Sequence, residues 1–384
     1  MKVCLIYDFL TEAGGLERLI ANHAKMLAEE GFDVEILTYH YNKEVIDRTG
    51  LSKFKITNIS AIKTKYELIN ILSSILLSFL GVYKLKNHNP NLFISYSFPA
   101  NFLIRDKKIK KVNFMNHYPN FLYLNNKEKL EWASSTKGLR LLVVFLSWFL
   151  GNYFKKLDLS LVKKSNLSFA NSKFTKKKLD KIYNINSIVS YPPVSPIFKP
   201  SNIKIKEKYI FAAGRIIPDK KYDWLIESLS LMKNKLPLYI SGDGTNEYKN
   251  KLKELAKKKK VKLKFVDKSL EKLIIYYTNA AIFAFSTPGE DFGLVPAESL
   301  SCGTPVVVWG DGAGPTEQVI DKVNGFLAKP YNKKDFASKL DLAIADKLKN
   351  TNKKKIISSA RKFSYRQVKE SFIKEIRRIA LKDI

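Results

Sequence analysis

Short apolar runs alternate with helical periodicity along most of this chain. Val3 to Tyr7 is a run of strand type, and a loop holding Gly14-Gly15 follows it. An amphipathic helix is expected from about Leu16 to Glu30, closed by Gly31-Phe32, before a second strand at Val34 to Tyr39. Strand, helix and strand in that order imply a parallel sheet. Leu92 to Tyr96, Lys111 to Asn116, Leu167 to Asn171 and Ile188 to Tyr191 read as further strands. Tyr191-Pro192-Pro193-Val194-Ser195-Pro196 then excludes a helix and favours a stiff hinge.

Beyond the hinge the alternation restarts. Strands are expected at Tyr209 to Ala213, Leu238 to Ser241, Leu263 to Val266, Ala281 to Ser286 and Pro305 to Trp309, with helices from about Tyr222 and through Lys259. Lys355 to Ile379 reads as a long helical tail with Ser364 as a break. The fold class is therefore α/β with two doubly wound, Rossmann-like domains. Residues 1–195 form the first and 196–365 the second, while 366–384 is a C-terminal helix that can return to the first.

Two apolar stretches depart from a plain α/β pattern. They are Tyr66 to Tyr83, which is nearly uncharged, and Gly138 to Phe154, which carries aromatic residues and basic flanks. Both are short or marginal against the ~20 apolar residues of a spanning helix. They fit either buried core helices or helices lying in a membrane interface. The basic flanks, with Trp148, Phe149 and Tyr153 as anchors, favour the interface.

Composition sharpens this reading. The 384 residues suffice for two domains with ample core. The formal net charge is +31, yet only nine of the 67 basic residues are Arg. Attraction to an anionic membrane surface is favoured, with a solvated lysine surface that has no specific partner as the alternative; nucleic acid comes last, since Arg is its preferred reader and no basic–aromatic interleaving is present. Cys4 and Cys302 lie far apart, which fits a reducing compartment. The apolar start ends at Asp8, too early for a signal peptide, so the expected location is cytoplasmic, peripheral at the inner face of the cell membrane.

The chemistry concentrates in residues 286–330. Glu290 and Glu298 stand eight positions apart across a turn that runs Asp291-Phe292-Gly293. A buried strand precedes them, and Pro296 suits the first turn of the helix that follows. Glu290 thus sits on a loop beyond the carboxyl end of a strand, and Glu298 on the next helix, facing the same crevice. Amides near Phe292, Gly293 and Leu294 can meet a phosphate or a developing charge. Upstream, Arg215 and Lys220 occupy the loop between a strand and a helix, where two cations can neutralise a diphosphate. Ser241-Gly242-Asp243-Gly244 is a tight turn after a strand, and His117 alone among four histidines follows a strand into a crevice. There is no Asp-x-Asp motif and no metal-ligand spacing.

The spacing and its surroundings resemble the retaining glycosyltransferases of family 4. The resemblance is carried by Glu290-x7-Glu298 with Phe292-Gly293, by Cys302-Gly303-Thr304-Pro305, Gly314-Pro315-Thr316-Glu317 and Asn324-Gly325-Phe326-Leu327, and by Gly214-Arg215 with Lys220. Gly14-Gly15-Leu16-Glu17, His117 and Tyr191-Pro192-Pro193-Val194 extend it into the first half. It implies the GT-B fold and a retaining, metal-independent hexosyl transfer from a nucleotide sugar to a glycan or lipid-linked saccharide, with no cofactor beyond the donor. The GGLERLI, YPPV and EDFGLVPAES segments look closest to transferases that use GDP-mannose, with a UDP-sugar as the alternative. An inactive scaffold of the same fold that binds membrane or polyanion is the competing class.

By the same resemblance His117, Glu290, Arg215 and Lys220 are catalytic. Gly15, Arg215, Lys220, Gly242, Phe292, Gly293, Leu294 and Glu298 hold the donor, Glu298 at the ribose and Glu290 at the transferred sugar. Ser299 and Ala313 depart from the family pattern, as does Asp267, which replaces a glycine of the base-binding loop.

Overall fold

A computed structural model describes residues 1–11, 14–79, 88–96, 98–105, 108–134 and 139–381. Residues 80–83 and Gly138, the ends of the two apolar stretches, lie outside the described residues. The chain forms two compact units, Met1–Tyr191 with Lys369–Ile384, and Pro192–Val368.

The N-terminal unit holds seven strands: β1 (Lys2–Leu10), β2 (Asp33–Tyr41), β3 (Lys55–Asn58), β4 (Leu92–Ser95), β5 (Lys110–Met115), β6 (Leu167–Ala170) and β7 (Ile188–Val189). They form one sheet in the order β3-β2-β1-β4-β5-β6-β7, parallel throughout. β4 and β6 are buried at every position, as expected of strands covered by helices on both faces. Cys4, Ile6, Leu37, Tyr39, Phe93 and Leu103 make the core on one face.

Across the sheet, His23 is fully buried and stacks on Phe372 at 4.2 Å between centroids. Its Nδ1 meets the Tyr96 hydroxyl at 2.8 Å. Burial pushes this imidazole down to about 3, so it is a neutral core residue. Phe372 comes from the last helix, Tyr365–Leu381, which begins in one unit and ends in the other. Lys369 pairs with Glu29 and Glu30 at 2.9 Å, and Arg377 with Glu30 at 2.6 Å, fastening this helix to helix Gly15–Glu29.

The C-terminal unit has six strands, β8 (Ile210–Ala213), β9 (Leu238–Ser241), β10 (Leu263–Val266), β11 (Ile282–Phe285), β12 (Val306–Trp309) and β13 (Gly325–Ala328). Their order is β10-β9-β8-β11-β12-β13, again parallel. Ile210, Ile240, Ile282, Val307 and Trp309 pack with Leu225, Phe336 and Leu340 of the covering helices. The proline-rich segment is pinned at Val194, whose amide donates to Phe363 O at 2.8 Å and whose backbone bridges to Ser364. The helical tail breaks as expected at Ser364, whose extended backbone follows a 3-10 turn at Arg361–Phe363.

Strands β3 and β13 were not anticipated. β3 is four residues long with a lysine at its start, and β13 opens on Gly325, whose missing Cβ admits Val306 O at 2.1 Å from where it would stand. Both are edge strands fixed by pairing with a distant neighbour rather than by their own pattern.

Glu35 on β2 is buried beneath that edge and collects Lys2 at 2.7 Å, Lys55 at 3.3 Å and the Thr57 hydroxyl at 2.8 Å. Burial pushes its carboxyl up, but the hydrogen bonds from Lys2, Thr57 and Lys55 outweigh that and hold it at about 2. Because the folded value lies below the unfolded one, this stabilisation is complete above pH ~4.5 and is lost as pH falls toward 2. Glu35→Gln should therefore cost about 3 kcal/mol at neutral pH. It should also flatten the acid limb of the stability curve between about pH 4.5 and 2, read by denaturant melts across that range.

Candidate active site

In the C-terminal sheet the chain leaves β8 toward β9 and leaves β11 toward β12, on opposite sides. The crevice outside the carboxyl ends of β8 and β11 is thus the switch point where ligands of such sheets bind. Both clusters named from the sequence converge there. The loop after β8 carries Arg215 and Lys220, and the loop after β11 carries Glu290.

Lys220 Nζ meets Glu290 Oε2 at 2.5 Å, with the two side chains 22% and 25% exposed. Around this pair the loops are sewn together. Ser286 Oγ donates to Lys221 O at 2.9 Å, and Thr287 Oγ1 to Lys220 O at 3.4 Å. Trp309 Nε1 donates to Ser286 O at 2.8 Å.

Gly242 explains itself by close approach. It sits at φ +154°, and a Cβ there would stand 1.8 Å from Gly214 O. Gly214 N donates to Ser241 O at 3.0 Å and Ile216 N to Asp243 O at 2.5 Å, so the turns after β8 and β9 lie backbone against backbone. Asp243 forms an ion pair with Lys268. Asp267 accepts from the Ser269 amide at 2.7 Å, so its carboxylate organises the start of helix Leu270–Asn279.

Gly293 caps helix Leu294–Ser301 from the left-handed region, φ +75°. Gln318 Nε2 donates to Phe292 O at 2.7 Å and to Gly293 O at 2.9 Å. A trans peptide points its N–H away from its C=O, so anchoring these carbonyls aims the Gly293 and Leu294 amides to the other side. Amides of a helix's first turn have no acceptor within the helix, which suits them to an anion. Asp311 steadies the approach, accepting from the Gly289 and Ala313 amides at 3.0 Å each. Phe292 is buried and packs edge-on against Phe363 at 5.3 Å, so it supports the turn from within.

Glu298 is buried, at 5% exposure. Tyr277 donates its hydroxyl to Glu298 Oε2 at 2.9 Å. Burial, reinforced by this carboxylate, raises the Tyr277 phenol far above its ordinary value, so it stays a donor. A carboxylate has about four acceptor positions, and Tyr277 fixes its orientation while using one. Ser299 donates to Thr304 O at 3.1 Å, so its extra hydroxyl is satisfied within the core. Cys302 is buried and its thiol is pushed up to about 12 by burial, which makes it inert.

In the N-terminal unit, β1, β4 and β5 are adjacent and parallel, and the switch point falls between β1 and β4. Gly15, which opens helix Gly15–Glu29, and His117, two residues past β5, lie at the same carboxyl edge. A Cβ on Gly15 would have nothing within 4 Å. His117 is exposed, with Nδ1 2.9 Å from Tyr118 O. The segment after it is anchored by buried Asp158, which accepts from Tyr123 at 2.8 Å and Tyr183 at 2.7 Å.

The structure thus brings together Arg215, Lys220, Gly242, Glu290, Phe292, Gly293, Leu294 and Glu298 at one sheet edge, and Gly15 with His117 at the other unit's edge. Tyr277, Asp311 and Gln318 support the first set and were not picked out from the sequence. Their partners lie 21, 22 and 25 or more positions away, beyond any local pattern.

Architecture and site together define a GT-B fold of two Rossmann-like units. Solved structures agree over the whole chain. A glycosyltransferase from Rickettsia africae has a TM-score of 0.73 at 18% identity, covering 100% of this chain and 99% of that one. Anabaena HepE in complex with UDP has a TM-score of 0.75 at 15% identity, covering 98% and 100%. The family model described as glycosyl transferases group 1 matches residues 194–363, the C-terminal unit nearly in full.

An N-acetylgalactosaminyltransferase of Campylobacter jejuni, named for a diphospho-undecaprenol-linked acceptor, is 31% identical over 165 residues, 42% of this chain and 44% of its own. An uncharacterized glycosyltransferase of Haemophilus influenzae is 27% identical over 168 residues, 42% and 47% of the two chains. This chain spans less than half the length of either relative. An uncharacterized glycosyltransferase of Methanocaldococcus jannaschii matches at 26% over 381 residues, 95% of each chain.

The two glycines make opposite predictions. Gly242→Ala should cost at least about 2–3 kcal/mol and lower the melting temperature by roughly 5–10 °C, because backbone must move. Gly15→Ala should leave the melting temperature within about 1 °C, since the added methyl meets only open space.

Proposed function

We propose that the chain is a retaining glycosyltransferase that moves a hexosyl group from a nucleoside diphosphate sugar to a glycan or lipid-linked saccharide. The Lys220–Glu290 pair carries this reading: it joins the two loops of the C-terminal switch point, inside the residues matched by the group 1 family model. The name of the Campylobacter relative supports a lipid-linked acceptor.

In this reading the donor diphosphate lies over Arg215, Lys220 and the amides of Gly293 and Leu294. These groups offset the charge that develops as the diphosphate departs, in place of a metal ion. Glu298, oriented by Tyr277, accepts hydrogen bonds from the ribose hydroxyls. Glu290 accepts from hydroxyls of the transferred sugar and, through Lys220, couples sugar binding to the leaving group. Gly242 keeps the turn after β9 close to the diphosphate loop. For the N-terminal unit the resemblance gives Gly15 as a donor-binding position and His117 as the active-site histidine.

Front-face attack fits this arrangement. The acceptor oxygen bonds to the anomeric carbon as the bond from that carbon to the phosphate oxygen breaks on the same face. The acceptor's proton passes to the departing phosphate oxygen. Mannose from GDP-mannose is the donor the sequence segments favour. A UDP-sugar is the second reading, favoured by the UDP held in the Anabaena structure of the same fold.

A thermal-shift panel of GDP, GDP-mannose, UDP and UDP-hexoses decides among these. Stabilisation by the GDP pair supports the first donor and stabilisation by the UDP pair the second. No shift with any of them contradicts the transferase reading. With the donor found, Lys220→Ala should lower kcat by about a hundredfold. Glu298→Ala should instead weaken donor binding by about tenfold, and wild-type kinetics in both variants would refute the two roles.

A further inference from the structure

Two helices of the N-terminal unit turn polar side chains inward and leave large apolar ones in water. Helix Glu67–Phe79 buries Asn70 and Ser74, one turn apart, and exposes Ile69, Leu72 and Leu76. Its polar groups are satisfied inward. Asn70 accepts from the Thr64 amide and hydroxyl at 2.8 Å and donates to Thr64 O at 2.9 Å, while Ser74 accepts from the Ala61 amide at 2.9 Å. Helix Leu139–Lys163 turns Ser147, Gly151 and Asp158 inward with Val144. Its outer face presents Phe145, Trp148, Phe149 and Tyr153, with Leu150 beside them. Phe149 is 72% exposed and Leu76 59%.

A surface helix in water places its apolar stripe on the core. Large apolar side chains left outside on two helices suit an apolar surrounding there. Among the described residues no helix is long and apolar enough to cross a membrane. The exposed rings sit at i, i+3, i+4 and i+8, one side of the helix. Phe145 lies 5.2 Å from Phe149 and 6.2 Å from Trp148, a continuous aromatic surface.

Charge selects the occupant. Lys63 and Lys65 precede the first helix, and Lys155, Lys156, Lys163 and Lys164 occupy the last turns of the second and its end. Lys155 and Lys156 follow the aromatic stripe directly, Lys163 and Lys164 stand at the helix end, and among the described residues none of the six forms an ion pair with a carboxylate. Aromatic rings beside lysines that no carboxylate neutralises match the boundary of an anionic bilayer, where rings enter the headgroup layer and ammonium groups meet lipid phosphates.

We propose that these two helix faces seat the N-terminal unit on an anionic lipid surface, with Phe145, Trp148, Phe149 and Tyr153 inserted and Lys155 and Lys156 on the headgroups. The inference is independent of the donor chemistry proposed above.

The test is flotation of the full chain with vesicles of phosphatidylglycerol and phosphatidylcholine, and with phosphatidylcholine alone, at physiological salt. The chain should float with the mixed vesicles and remain behind with the neutral ones. The double variant Trp148→Glu/Phe149→Glu and the double variant Lys155→Glu/Lys156→Glu should each reduce the bound fraction by about tenfold or more. All four residues are exposed, so both variants should melt like the parent chain and respond to nucleotide as it does. That separates a failure here from a failure of the transferase reading. Equal flotation on both vesicle types would overturn the proposal, as would full binding by the Trp148/Phe149 variant. Self-association without lipid, abolished by that variant and with no flotation by the parent chain, would assign the face to a second copy of the chain and overturn it equally.

Discussion

The ion pair between Lys220 and Glu290 is the interaction on which the site depends. A lysine and a glutamate 70 positions apart meet because β8 and β11 are neighbours at the reversal of strand order. Neither side chain is fully exposed, so the attraction between them is screened less than on an open surface. The pair also fixes two loops whose backbones supply the other groups. Loosening it would uncouple the loop after β8 from the loop after β11 at this point.

Around that pair the protein uses rigid contacts of differing kinds. The glycines at 214 and 242 let two turns touch backbone to backbone. Gln318 orients two peptide planes from behind, and Tyr277 holds Glu298 from within the core. Gln318 and Tyr277 are themselves buried, so the crevice is backed by side chains whose rotamers are locked by packing. The exposed face of helix Leu139–Lys163 follows the opposite logic. There Ser147 and Asp158 are inside, and the rings of Phe145, Trp148 and Phe149 are exposed.

Much of this was legible in the sequence because it is local. Apolar runs such as IFAF and VVVW read directly as strands buried on both faces, and the glutamate pair with its glycine turn reads as a loop entering a helix. Long-range pairings were not legible. β3 and β13 exist through their neighbours, and Tyr277, Asp311 and Gln318 act on residues more than twenty positions away. The depth of Glu298 was also hidden, since spacing places it on a helix but not on the helix's inner side. The aromatic stripe at 145–153 was visible as composition. That its polar residues turn inward required the fold.

Hydrogen–deuterium exchange of the full chain, with and without a saturating nucleoside diphosphate, tests the central claim most directly. New protection is expected in residues 213–221, 241–245 and 289–296, the loops after β8, β9 and β11, with the rest of the C-terminal sheet unchanged. Binding that protects other segments and leaves these three exchanging as before would contradict it.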